Sequence, residues 1–166
     1  MKNFKLRPWS LDDLSHLVQY ANNFNIAKNL TNQFPHPYTE QDGRNFIKMA
    51  TSSDPLRIFA IEVDGHAAGG IGVHPQADIH VKCAEMGYWL AEPFWGRGIM
   101  SEAVREMVQY AFDHFDIIRL YARPFSSNSA SQRVLEKAGF ELEARLKKSI
   151  FKNGEILDEL IYSILR

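Results

Sequence analysis

The sequence predicts an α+β fold whose sheet is mixed and mostly antiparallel, opened by a central parallel pair and flanked by about four helices. Three observations carry this expectation. Asp64-Gly65 and Asn153-Gly154 each separate two strand-like runs, and both dipeptides supply the positive φ angles of a tight hairpin turn. The run Met86–Ala91 leads through two glycines into a helix-period segment ending near His114, and the apolar stretch Ile117–Ala122 follows. Strand, helix and strand in that order imply a parallel crossover. A chain of 166 residues, 45% hydrophobic and 23% charged, fits one globular domain over residues 1–166 with a sizeable core and no second domain.

The elements follow in order. Phe4-Lys5-Leu6-Arg7 alternates as a short first strand, closed by Pro8. Ser10 and Asp13 form a capping pair ahead of Leu11, Leu14, Leu17, Val18 and Ala21, which recur at helical spacing. Asn22–Pro37 is rich in Asn and Pro and reads as a loop punctuated by aromatics. Thr39 with Asp42 starts a second helix with Phe46, Ile47 and Met49-Ala50 on its apolar side. Leu56–Val63 and His66–His74 form the first hairpin, and Gly69, Gly70 and Gly72 in its returning strand let another backbone approach closely or simply weaken it. Past the glycine loop, Ala103, Met107, Val108, Ala111 and Phe112 make an amphipathic helix. Ser126 or Ser127 can cap the next helix, which Gly139 terminates, and Phe140–Phe151 with Ile156–Leu165 closes the chain as a second hairpin.

The chemistry centres on Trp95-Gly96-Arg97-Gly98-Ile99-Met100-Ser101. Two glycines one residue apart let a ligand approach backbone N–H groups, and a helix beginning there adds its positive dipole end. Together they suit a phosphate or pyrophosphate. No Gly-Lys-Ser/Thr ends the loop, so it is not a Walker loop, and Ser101 stands where a dinucleotide fingerprint needs its third glycine.

A net charge of −1 gives no electrostatic footprint for nonspecific nucleic-acid or membrane binding. The lone Cys83 cannot form an internal disulfide. No run approaches membrane-spanning length, and Met1–Leu6 lacks the apolar core of a secretion signal, so a cytoplasmic protein is expected. No His/Cys/Asp/Glu cluster has ligand spacing for a metal.

Four motifs occur in series: Ala84-Glu85-Met86-Gly87-Tyr88-Trp89-Leu90, Phe94–Ala103, Asn128-Ser129-Ala130-Ser131, and Leu135-Glu136-Lys137-Ala138-Gly139-Phe140. The series resembles the GNAT superfamily of acyl-CoA-dependent N-acetyltransferases, most of all its RimJ/RimL branch of ribosomal-protein N-terminal acetyltransferases. The resemblance spans almost the whole chain. It implies acetyl-CoA as cosubstrate and direct attack by a primary amine, either a protein N-terminus or a small molecule. Homodimers are common in the branch. The rival expectation is a CoA-binding sensor or interaction module without turnover.

The resemblance also distributes roles. The strand before the loop splays from its parallel neighbour, so Trp89, Leu90 and Ala91 would hold the pantetheine arm, with the Leu90 amide facing the thioester oxygen. The pyrophosphate would rest on the amides of Gly96, Arg97, Gly98, Ile99, Met100 and Ser101. Trp95 and Met100 depart from the superfamily pattern, and Met100 makes the last turn bulkier. Asn128 matches the asparagine that bonds the pantetheine arm, although its setting also suits a helix cap. Leu135 stands where many relatives carry a tyrosine acid, and leucine cannot donate a proton. Ser131, one helical turn after Asn128, is the alternative donor to the CoA sulfur. Glu85 is the first candidate base, acting through water. Glu102, in a first turn that favours acids for electrostatic reasons alone, is the second.

Overall fold

The computed structural model describes residues 3–166. A seven-stranded sheet runs in the order β1-β2-β3-β4-β5-β7-β6, built from Lys5–Arg7, Ile58–Val63, His66–Pro75, Cys83–Leu90, Arg119–Ala122, Glu141–Lys152 and Glu155–Leu165 as β1 to β7. The pairs β1/β2, β2/β3, β5/β7 and β6/β7 are antiparallel, and β4 and β5 are parallel with Cys83–Glu85 opposite Arg119–Tyr121. Among the described residues five α-helices accompany the sheet: Leu14–Ala21, Phe24–Ala27, Glu40–Ala50, Ile99–His114 and Ser129–Lys137, here α1 to α5. The one beyond the expected four is α2, a single turn inside the stretch read as a loop.

The chain divides into two compact units. The first comprises residues 1–72 and 88–99. Ser10/Asp13 and Thr39/Asp42 both form complete capping boxes, the first on the 3-10 turn Leu11–Asp13 that leads into α1 and the second on α3. Asp13 also receives Arg7 Nη1 and Nη2 at 2.8 and 2.7 Å, while Arg7 Nε reaches Glu62 across the β1/β2 pair. Burial alone would push the Asp13 carboxyl up, but the guanidinium and the Ser10 N–H outweigh it and hold the group below its ordinary value. Beneath these caps Trp9, Leu17, Ala21, Ile47, Ala50, Ala60 and Trp89 form a buried cluster. Aliphatic and aromatic surface removed from water at about 25 cal/mol per Å² is what holds the helices to the strands.

The β2/β3 turn uses Asp64 at φ 51° and Gly65 at φ 82°, as its dipeptide requires. Farther along β3, a Cβ built on Gly69 would lie 2.4 Å from the Trp89 carbonyl oxygen and 3.1 Å from Leu90 Cα. Glycine at this place is therefore the condition for a close backbone approach to the end of β4, the first of the two readings offered for it. Ala91 N–H donates to Ala68 O at 2.7 Å and fastens the same point.

The second unit comprises residues 73–87 and 100–166. The amphipathic helix α4 buries Ala103, Val104, Met107 and Ala111 completely. Leu120 and Leu135 are equally inaccessible. Helix α5 ends on Gly139 at φ 93°, with Gly139 N–H donating to Glu136 O and Phe140 N–H to Leu135 O. Its start differs from expectation: Asn128 rather than Ser126 or Ser127 is the cap, accepting Ser131 N–H on Oδ1 at 3.2 Å. The closing hairpin turns on Asn153 at φ 51° and Gly154 at φ 82°. Strand β6 forms the sheet edge, and its exposed Lys147 and Lys148 discourage pairing with other chains.

Candidate active site

Strand β4 passes into a 3-10 turn, Glu92–Phe94, then through Trp95–Gly98 into α4. Gly96 and Gly98 hold φ at 75° and 77°. In that left-handed region an L side chain costs roughly 1–2 kcal/mol, which is the physical reason for glycine at both places. A Cβ built on either meets nothing within 4 Å, so the loop is open on that side as well as exposed. A 16-residue helix begins at Ile99, and its first amides have no intrahelical partner by construction.

The side chains around the loop brace it. Trp95 Nε1 donates to Leu90 O at 2.7 Å, tying the loop back to the strand end. Arg97 Nη2 donates to Pro93 O at 3.0 Å, and its guanidinium lies over the Phe94 ring at 5.2 Å. That side chain is thus folded onto its own loop. Ile99, Met100 and Ser101 are buried, so the bulk of Met100 points into the protein and does not crowd the turn. Trp89, Leu90 and Ala91 are buried as well, and the Trp89 ring meets Phe34 edge-on at 5.8 Å.

Glu85, Glu102, Asn128 and Ser131 belong to the second unit, whereas Trp89, Leu90, Ala91, Gly96, Arg97, Gly98 and Ile99 belong to the first. Glu85 is half-buried on β4, directly beside Tyr121 on β5. Burial pushes the Tyr121 phenol up from its ordinary value and the Glu85 carboxylate adds to the rise, so the phenol stays protonated at neutral pH. Glu102 is exposed in the first turn of α4. Asn128 and Ser131 are joined by the cap hydrogen bond, which commits Asn128 Oδ1 and leaves Nδ2 as the donor it can offer a ligand. Leu135, fully buried, is a core residue. Among the described residues no group of three or more His, Cys, Asp or Glu is arranged to hold a metal. No helix among them is long and apolar enough to cross a membrane.

Some contacts between residues far apart in sequence have no mark in it. Glu92 accepts hydrogen bonds from Asn23 and Asn25, and Arg123 donates twice to Glu159 Oε1, at 3.0 and 2.6 Å. The only local signal was the asparagine run at 22–25, which marks a turn without naming its partner.

Comparison with known proteins places the chain in a family. The description "Acetyltransferase (GNAT) domain" matches residues 3–141. Among curated proteins of Bacillus subtilis, the uncharacterized N-acetyltransferase YoaA is 37% identical over 98 residues, 59% of this chain and 55% of its own length. YdaF, provisionally named a ribosomal N-acetyltransferase, is 34% identical over 103 residues, 62% of this chain and 56% of its own. The chain thus spans about half the length of these curated relatives. Among solved structures, the microcin C7 self-immunity acetyltransferase MccE in complex with acetyl-CoA and AMP superposes with a TM-score of 0.85 at 26% identity, covering 100% of this chain and 94% of that one. On the extent of the domain match, the chain belongs to the GNAT acetyltransferase family.

Proposed function

We propose that the protein is an acetyl-CoA-dependent N-acetyltransferase, with residues 1–166 acting as one catalytic domain. The observation that carries this reading is the pair of left-handed glycines, open to solvent, at the start of a long helix. Backbone donors in that arrangement suit the diphosphate of CoA. The cosubstrate supplies an acetyl group activated as a thioester; the protein's own groups position, polarise and move protons. The amides of Gly96, Arg97, Gly98, Ile99, Met100 and Ser101 hold the diphosphate. The backbone of Trp89, Leu90 and Ala91 lines the pantetheine arm, and the Leu90 N–H donates to the carbonyl oxygen as negative charge develops there. Asn128 Nδ2 bonds the arm.

In the transfer itself the amine nitrogen forms a bond to the acetyl carbon, the carbon–sulfur bond breaks, and the electron pair leaves with sulfur. Glu85, through water, takes the proton that the amine loses; Ser131 donates a hydrogen bond to the departing thiolate. Glu102 is the alternative carboxylate for binding the amine. The acceptor is a primary amine, a protein N-terminus in keeping with the RimJ/RimL branch and the name of YdaF, or a small molecule, as the name of a spermidine N(1)-acetyltransferase of Escherichia coli, 26% identical over 157 residues, gives for that protein. Such acceptors agree with a cytoplasmic setting.

One observation favours a second reading. Leu135 is sealed in the core where many relatives carry a tyrosine acid, so a CoA-binding module that has lost turnover also fits. A thiol-release screen with acetyl-CoA against peptides and small amines separates the two. Turnover that falls in Ser131→Ala and Glu85→Gln supports the assigned roles. Tight CoA binding with no amine-driven thiol release selects the binding module.

A further inference from the structure

Glu92 opens the 3-10 turn between the end of β4 and the glycine loop, and it is exposed. Its carboxylate nevertheless accepts Asn23 Nδ2 at 2.7 Å and Asn25 Nδ2 at 3.2 Å, from residues 69 and 67 positions away. Both asparagines organise the α1–α3 connection. Asn23 Oδ1 caps α2 by accepting Asn25 N–H at 2.8 Å, and Asn25 Oδ1 receives Lys28 Nζ at 3.1 Å. Neighbouring Asn22 Oδ1 accepts Tyr38 N–H at 3.0 Å, at the far end of the same connection. Two residues past Glu92, the Phe94 ring meets Tyr20 of α1 edge-on at 5.9 Å and carries the Arg97 guanidinium on its face. The turn is therefore fastened to the glycine loop on one side and to the α1–α2 corner on the other. Phe34, inside the connection, lies against Trp89, next to the Leu90 amide.

We propose that Glu92 is a positioning residue that couples occupancy of the glycine loop to the order of the segment 22–38, which forms a wall beside the acetyl group. The inference rests on the reading of the loop as a CoA cradle. A diphosphate that immobilises the Gly96–Ser101 amides also immobilises the turn, and Glu92 passes that constraint to Asn23 and Asn25. An amine then meets a wall whose ordering entropy has already been lost. By linkage the amine strengthens CoA binding by the same factor.

The test measures hydrogen exchange of residues 22–30 with and without CoA in the parent, Glu92→Gln and Glu92→Ala, with calorimetry of CoA binding to each. CoA is expected to slow exchange in the parent, less in Glu92→Gln, which keeps one acceptor oxygen, and not at all in Glu92→Ala, although all three bind CoA. With an acceptor from the thiol-release screen, Glu92→Ala raises the amine KM by about fivefold at unchanged kcat. Equal CoA-induced slowing in the parent and Glu92→Ala, or none in the parent, overturns the coupling while leaving the CoA site standing. If Glu92→Ala exchanges faster than the parent by the same factor in the free and the CoA-bound protein, Glu92 is a structural brace, which also overturns the coupling. No heat from CoA with the parent removes the cradle, and the coupling with it.

Discussion

Replacing Gly69 by alanine tests whether close backbone contact sets the catalytic geometry. The added Cβ would lie 2.4 Å from the Trp89 carbonyl oxygen, about 1 Å short of the 3.4 Å at which ordinary contact begins. The obstacle is backbone and cannot rotate away. Either β3 or the end of β4 must shift by most of that distance, and the Ala91 N–H to Ala68 O bond at 2.7 Å resists the shift. Overpacking of this kind costs about 1–3 kcal/mol, which for a chain of this size lowers the melting temperature by roughly 2–12 °C. The larger effect falls on function. The Leu90 amide moves with the strand, and a displacement near 1 Å costs about a hundredfold in rate when a group must meet a developing charge. Acetyl-CoA-dependent thiol release at saturating amine, read beside a thermal melt and CoA calorimetry, gives the answer. A folded Gly69→Ala protein that binds CoA but turns over about a hundredfold more slowly supports the argument. Gly87→Ala is the control, since a Cβ there meets nothing within 4 Å and its melting temperature should not fall. Parent-like turnover in folded Gly69→Ala refutes the reasoning.

Three more outcomes are expected. Gly98→Ala places a side chain at φ 77°, costs roughly 1–2 kcal/mol, and by re-aiming the loop amides weakens CoA about tenfold; an unchanged Kd in calorimetry speaks against the cradle. Asn128→Asp keeps an oxygen for Ser131 N–H but loses the Nδ2 donor, so the melt should be unchanged while CoA weakens by about threefold to tenfold; equal affinity would assign Asn128 to capping alone. Asp13, and Asp158 through Lys148 N–H and Arg145, titrate below their ordinary values, so their stabilisation is full above the unfolded carboxyl value of about 4 and is lost as pH falls through the lower folded values. Asp13→Asn should flatten that acid-side loss in melts from pH about 5 downward, and an unaltered slope would show that the Arg7 pairing contributes nothing.

Much of this architecture was legible because its determinants are local. A hairpin dipeptide must take positive φ, a Ser or Thr three residues before Asp can close a capping box, and a glycine after an amphipathic run ends it. Each is decided within four residues of chain, and Asp64-Gly65, Thr39/Asp42 and Gly139 all behave so. The glycine loop belongs to the same class. Contacts across long sequence separations left no such mark. Nothing in the residues around Glu92 announces Asn23 or Asn25, and nothing around Trp95 announces that its indole will hold the Leu90 carbonyl. The start of α5 was open among neighbouring caps for a finer reason. Ser126, Ser127 and Asn128 are all good caps, and the choice depends on how the chain leaves β5: Ser126 N–H is committed to Asp158 O on β7, which pushes the helix start onward to Asn128.

The indole that braces the loop has an optical consequence. Trp95 leaves 46% of its surface to solvent, whereas Trp9 and Trp89 keep 3% and 9%. Emission from the sealed Trp9 should stay constant when a ligand settles on the glycines, and the change in colour and quenching should come chiefly from Trp95, with Trp89 reporting on Phe34 and the 22–38 segment. The protein therefore carries its own dye at the place that matters, and a Trp95→Phe partner supplies the blank.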